Sequence, residues 1–599
     1  MTAIVPSILR SAAALGLACS ALFAADGPST VQLVQKDGSW QLLRDGKPFV
    51  VRGAGGDASK ALLASIGGNT CRTWGADDIQ DRLDDAHKNG LAVVVGIWLG
   101  HERHGFKWND PVAVKKQFEM AKEQVLKWKD HPAVLAWGLG NEMEGYAAGD
   151  NVDIWKGIQD IAAMVKQIDP KHPTLTTVAE VGGKRVELIH SICKDIDIVG
   201  INTYAGCASM PERYRKAGGT KPYMITEYGP AGTWEIGKNP LGAVDEPTST
   251  EKAKSYKGAY DALAADTKLC LGSIAFAWGS KVEATATWYG MVLPDDSKLE
   301  VVDMYAAAWG RPVKNRCPQI QAIAFDAGKY PTLKPGQIVK ATSVVTDPEG
   351  DAMNAEWIIA QELSDYNTGG DAIAMPPTFP EDILKPAVGS CEFKVPEGGG
   401  VYRIYTYVRD GKGGAALASA VFKVDGPKVP PKPQKPKLPA PVAGGEGEPL
   451  WAASGYMGDT GSIQMQAASS ENPKVGKSCM KVTFDKGNGW GGVVWQSPAN
   501  DWGNAPGGFN LTGAKKLSFW ARGAAGGEKV KFGFGIIGND KPFGDTAKVE
   551  REVVMTSEWQ QIDIDVAGRD LSRIKTGFMW VVGGQGKPVT FYLDDVRWE

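Results

Sequence analysis

Glu142 and Glu227 are the residues of this chain best placed by their neighbours to do chemistry, because each closes a short apolar run. The first run is Trp137-Gly138-Leu139-Gly140-Asn141-Glu142 and the second is Ile225-Thr226-Glu227-Tyr228-Gly229. In a closed barrel of parallel strands, the residues at the carboxyl ends of the strands face the mouth, while strand interiors pack. A glycosidic bond is broken by such a pair: one carboxylic acid protonates the leaving oxygen, and one carboxylate attacks or stabilises the anomeric carbon. A lone glutamate at a strand end reads as a surface or ion-pair residue. Two at the same face, one after asparagine and both amid aromatics, read as an acid–base pair.

The elements that would place them follow from the alternation between Phe49 and about Gly310. Apolar runs occur at Val50–Ala54, Thr70–Trp74, Ala92–Trp98, Val134–Leu139, Thr174–Val178, Ile196–Asn202, Tyr223–Thr226 and Gly272–Trp278. Amphipathic stretches lie between them, with Val114, Phe118, Ala121, Val125 and Trp128 on one helical face and Trp155, Ile158, Ala162 and Val165 on another. Strands buried on both sides and separated by helices imply a parallel sheet, and eight units in this length fit a (β/α)8 TIM barrel. An open doubly wound sheet is the other arrangement of such units.

Other strand ends supply candidate substrate contacts: Arg72, Trp98, Asn141, Tyr204 and Trp278, with His101 in the loop after Trp98. Trp108 and Trp234 fall on loops over the mouth, where a subsite and a packing role are both open. Glu144 reads as a supporting or exposed residue, and Glu180, after the fifth strand, as a possible contact. His101-Glu102-Arg103-His104 spaces its histidines three apart rather than four and follows a strand, so no metal site is expected. No cofactor is expected either.

Asn-Glu after the fourth strand and a glutamate after the seventh resemble the signature of clan A glycoside hydrolases. The runs Phe49-Val50-Val51-Arg52-Gly53 and Gly68-Asn69-Thr70-Cys71-Arg72-Thr73-Trp74 look like the barrel domain of glycoside hydrolase family two, over roughly residues 35 to 310, and echo β-1,3-glucan-acting families of that clan. The resemblance implies a retaining hydrolase with Glu142 as acid/base and Glu227 as nucleophile. It also implies Asn141 on the sugar 2-hydroxyl, Arg72 and Tyr204 beside Glu227, and Trp278 flooring the site. Apolar neighbours such as Trp137 are expected to keep Glu142 protonated. The β-sandwich domains that usually precede a family-two barrel are missing, which turns the expected substrate from a small galactoside or glucuronide toward a β-glucan. Two alternatives use the same residues: a β-glucan transglycosylase and a non-catalytic glycan-binding protein.

The rest of the chain reads as a multidomain protein in which the barrel is followed by two all-β domains. Residues 1–25 carry Arg10, an apolar run from Ser11 to Phe23 and small residues around Ala24, the pattern of an export signal that leads to a secreted or periplasmic protein; Leu17-Ala18-Cys19 is a weaker lipoprotein alternative. Residues 26–315 form the catalytic barrel. Residues 316–425 alternate in strand period around Asp347-Pro348-Glu349-Gly350-Asp351 and resemble an immunoglobulin-like sandwich, the turn reading as plain rather than as a calcium site. Residues 426–446, rich in proline and lysine, read as an extended spacer. Residues 447–599 resemble a jelly-roll carbohydrate-binding module, with eight of the chain's 20 tryptophans; Trp490, Trp495 and Trp502 are candidate sugar platforms, while Trp520 and Trp598 read as core. With a net charge of −3 and no long block of like charge, nucleic acid is not an expected partner, and no run is long enough to span a membrane. The expected partner is a polysaccharide or oligosaccharide; no protein partner is indicated. Eight cysteines without a CxxC spacing give no disulfide framework, Cys193–Cys207 being the one short-range pairing to consider.

Overall fold

The computed structural model describes residues 27–145, 147–363, 366, 376–430, 432–445 and 449–599. Residues 1–25, read above as an export signal, and Cys19 within them lie outside the described residues.

A three-stranded antiparallel meander opens the chain: β1 (Val31–Lys36), β2 (Ser39–Arg44) and β3 (Lys47–Pro48). Its Val31 and Leu42 pack with Val94, Leu135, Leu175 and Ile274, so the meander plugs one end of the barrel. Sequence periodicity gave no warning of this plug.

Eight parallel strands then close on themselves: β4 (Val51–Gly55), β5 (Thr70–Arg72), β6 (Ala92–Ile97), β7 (Val134–Asn141), β8 (Thr174–Ala179), β9 (Ile198–Asn202), β10 (Tyr223–Glu227) and β11 (Cys270–Phe276). All eight expected runs are strands, because both faces of each are buried and β-branched residues suit that setting. Helices α1 (Lys60–Ser65), α2 (Gln80–Lys88), α3 (Pro111–Trp128), α4 (Val152–Ile168), α5 (Arg185–Ile192), α6 (Met210–Lys216), α7 (Ser249–Ala264) and α8 (Glu300–Ala308) form the outer layer. Four of these helices, α1, α3, α4 and α7, start on a capping side chain. Asp110 caps α3 ahead of Pro111, and Thr248 with Glu251 makes a reciprocal capping box on α7.

The second domain is a two-sheet sandwich. One sheet orders Lys298–Leu299, Gly414–Val424, Gly400–Arg409 and Asn354–Gln361; the other orders Ala324–Phe325, Ile338–Thr342, Ser390–Lys394 and Ile383–Ala387. The strand Lys298–Leu299 belongs to the barrel segment and pairs in parallel with Gly414–Ala415. Ala415 and Leu417 enter the barrel's own helical core, and the Leu417 amide donates to Ser249 Oγ at 3.0 Å at the start of α7. Barrel and sandwich therefore share packing. In the Asp347 turn, Asp347 Oδ1 accepts from the amides of Glu349 and Asp351, and Glu349 pairs with Arg316, so these carboxylates are used as turn and ion-pair groups.

The third domain is also a two-sheet sandwich, and its boundary differs from the sequence expectation. Ala440–Ala443 pairs with Val589–Trp598, so the domain begins inside the stretch read as spacer. Gln434 is held as well: its amide donates to Thr378 Oγ1 in the second domain at 3.1 Å, and its carbonyl accepts from Asn510 in the third at 2.7 Å. Proline excludes a segment from central strands but not from an edge, which is where Pro441 sits. Trp495 and Trp598 are core; Trp520 is half-buried under Lys474, and Trp490 is exposed. The seven cysteines from Cys71 to Cys479 are free thiols, Cys193 and Cys207 among them.

Candidate active site

Glu227 ends β10 almost fully buried, and three donors from the ends of two other strands, β5 and β9, converge on it. Arg72 Nη1 reaches Oε1 at 3.0 Å, Trp74 Nε1 reaches the same oxygen at 2.8 Å, and the Tyr204 hydroxyl donates to Oε2 at 2.9 Å. Arg72 is itself fixed: Nη1 also donates to the Thr226 carbonyl at 2.9 Å, and Nη2 to Asn141 Oδ1 at 2.7 Å. Burial, and next the charge of Glu227, hold the Tyr204 hydroxyl far above the ordinary phenol range, so it acts as a donor. This constellation suits an anionic carboxylate with a defined orientation.

Glu142 sits in a different setting. It leaves β7 with φ +52°, just after Gly140 at φ +75°, a left-handed turn that an L-residue enters at a cost of about 1 kcal/mol or more. Its amide donates to the Thr177 carbonyl at 2.8 Å, and its carbonyl accepts from Gly145 at 2.9 Å, which pins the turn. Asn202 Nδ2 donates to Glu142 Oε1 at 2.8 Å and to Asn141 Oδ1 at 3.2 Å; the Thr226 hydroxyl donates to Asn202 Oδ1 at 2.8 Å. Burial, and then the charge of Glu227, push the Glu142 carboxyl up to about 7, against the pull of the Asn202 hydrogen bond and Arg72. Two carboxylates at one barrel mouth thus stand in opposite environments, one fastened by three donors and one biased toward keeping its proton.

The structure brings Arg72, Asn141, Glu142, Tyr204 and Glu227 together. It adds Trp74 and Asn202, which lie in the strand-end motifs Arg72-Thr73-Trp74 and Asn202-Thr203-Tyr204; the signal was an NH donor two positions from a residue already singled out. Several expectations are corrected. Trp278 is buried beside Gly56 and gives its Nε1 proton to the Ser59 carbonyl, so it packs behind the barrel rim. The ring near the site is Phe276, edge-on to Trp74 at 5.7 Å and beside Tyr289. Trp137 faces the helices and donates to Asp169, so burial of Glu142 itself, not Trp137, disfavours its charge.

His101 is buried with its ring 4.9 Å from that of Trp98, and Trp98 is the member of the pair that reaches solvent. Trp108 packs against Phe106 and Gly157, whereas Trp234 is exposed, edge-on to Tyr204 at 5.6 Å. Glu144 is not exposed: it accepts from the Ala179 amide and from Arg185 Nε, each at 2.7 Å. Glu180 is committed to Arg213 and Thr203. Among the described residues, no group of three or more His, Cys, Asp or Glu is placed to hold a metal ion, and no helix is long and apolar enough to cross a membrane.

Residues 83–264 match the family model described as glycosyl hydrolases family 2, TIM barrel domain.

The matched segment begins in α2 and ends with α7, so it includes both glutamates and the strands that carry them. Among solved structures, a β-glucuronidase of an uncultured Clostridium sp. is 20% identical at a TM-score of 0.38, over 47% of this chain and 53% of that one. Bacteroides uniformis β-glucuronidase 2, covalently bound to cyclophellitol-6-carboxylate aziridine, is 14% identical at 0.38, over 94% and 67%. The β-glucuronidase of Ruminococcus gnavus is 14% identical at 0.38, over 47% and 53%. The chain spans about half the length of the first of these. No curated protein matches.

Proposed function

We propose that this protein is a retaining β-glycosidase, with Glu227 as nucleophile and Glu142 as general acid and base, acting on a β-glucan. The observation that carries the reading is the contrast between the two carboxyls: Glu227 accepts from Arg72, Trp74 and Tyr204, while Glu142 is pushed up to about 7. Glu227 attacks the anomeric carbon as Glu142 gives its proton to the departing oxygen. The glycosyl–enzyme ester then forms, and Glu142, now ionised, takes a proton from the incoming water. Two inversions restore the starting configuration. Asn141, oriented by Arg72 and Asn202, is the partner for the sugar 2-hydroxyl.

The all-β domain at the C-terminal end, with Trp490 exposed, is read as the part that holds polymer, and export through the first 25 residues would bring the enzyme to it. The reading is tested by digesting a panel of soluble β-glucans with the full chain and following the first product by proton NMR. Retained β-anomer appearing first supports it; inverted product, or no release from any polymer, overturns it.

A further inference from the structure

A buried network of charges joins the Glu227 side of the barrel to the second domain. Arg403, on the strand Gly400–Arg409, is 1% exposed. It donates to Glu362 from Nε at 2.7 Å and from Nη2 at 2.6 Å, to Ser419 Oγ from Nη1 at 3.1 Å, and to the Val244 carbonyl from Nη2 at 2.7 Å. Ser419 Oγ passes the contact on to Glu246 at 3.1 Å, and Glu246 also accepts from Lys252 Nζ at 2.5 Å and Thr287 Oγ1 at 2.7 Å.

Val244 and Glu246 end the segment between β10 and α7. Within it, Lys238 and Val244 bridge in antiparallel fashion, and Glu235 accepts from the amides of Gly232 at 2.8 Å and Ala205 at 2.9 Å. Trp234 lies at its exposed end, against the Tyr204 whose hydroxyl reaches Glu227. Tyr366 of the second domain packs with Val244, Phe276, Trp288 and Tyr289 in one cluster, and the Lys238 ammonium lies 5.5 Å from its ring.

Buried ion pairs are a weak source of stability, since an apolar contact of equal volume does as well or better; what a guanidinium fork adds is direction. We propose that Arg403 is a positioning residue: from the second domain it seats the 228–248 segment so that Trp234 presents its ring to a sugar unit beside the cleaved bond. The substrate class is then a β-linked chain rather than a small glycoside. This rests on the β-glycosidase reading of the site.

The test uses Arg403→Lys, which keeps the charge and loses the fork, and Ser419→Ala, which keeps every charge, in the full chain. Hydrogen–deuterium exchange of residues 229–247 is expected to quicken in both variants while α4 is unchanged. On β-1,3-gluco-oligosaccharides KM is expected to rise about tenfold, with kcat on 4-nitrophenyl β-D-glucoside held within about twofold, the scale of one lost aromatic contact. Trp234→Ala should raise KM on the oligosaccharides to the same extent, and the Arg403→Lys/Trp234→Ala double variant should be no worse than either single one. Unchanged exchange in 229–247 in both variants, or KM effects that multiply in the double variant, would overturn the proposal. If neither substrate is cleaved by the wild type, the glycosidase reading fails, and the exchange measurement still decides the seating.

Discussion

Among single residues, two glutamates divide the work through their surroundings. Because the folded carboxyl of Glu142 lies at about 7 against an ordinary 4.5, the folded state binds this proton more tightly than the unfolded chain does. The stability it contributes is complete below pH 4.5 and is lost as pH rises through about 7. Glu142→Gln removes that titration and should stabilise the protein above pH 7, by at most about 3 kcal/mol, while leaving the melting temperature at pH 4 unchanged. The same proton sets activity: kcat/KM is expected to fall as pH rises past about 7, and a rate that stays level to pH 9 would remove Glu142 as the acid. A gain in stability at neutral pH combined with lost turnover is the mark of a group held for function at the expense of the fold.

At the scale of elements, glycine decides how closely β5 and β6 approach beneath the site. A Cβ on Gly96 would lie 2.3 Å from the Thr73 carbonyl and 2.8 Å from Trp74 Cα, backbone atoms that cannot step aside cheaply. Gly96→Ala should displace Trp74 from Glu227 and lower kcat at least tenfold, with a loss of about 1–3 kcal/mol in stability; full activity would show that the Trp74 bond is dispensable. The barrel was legible because doubly buried strands are written as unbroken apolar runs, and the strand ends named five of the residues now found together. Trp278 misled for a physical reason. A strand-end residue can turn either to the mouth or to the helices, and neither its type nor its spacing records which. The 31–48 meander escaped notice because Val31–Lys36 and Ser39–Arg44 mix polar and apolar residues and lack the unbroken apolar runs that marked the barrel strands. The edge strand Ala440–Ala443 hid among prolines that read as spacer.

At the scale of the whole molecule, the chain divides where packing divides, and that is after the second domain. Deleting residues 426–599 should leave a soluble protein that still hydrolyses short oligosaccharides and binds insoluble polymer more weakly. Deleting from residue 316 onward strips Ala415 and Leu417 from the barrel core and leaves Glu246 and Lys252 without Arg403 and Ser419; that product is expected to be insoluble or inactive. Equal loss of activity on soluble and insoluble substrates in the shorter deletion would mean that the third domain helps to build the site.

Whether Glu227 attacks and Glu142 handles the proton is decided by the stereochemistry of azide rescue on an activated aryl β-glycoside. In Glu142→Ala the glycosyl–enzyme still forms, and azide entering from the face that water would use should yield a β-glycosyl azide. In Glu227→Ala azide should occupy the space left beside Arg72, Trp74 and Tyr204 and attack from the opposite face, yielding an α-glycosyl azide. The reverse pair of products would exchange the two roles, and near wild-type turnover in either variant without azide would contradict the two-glutamate mechanism.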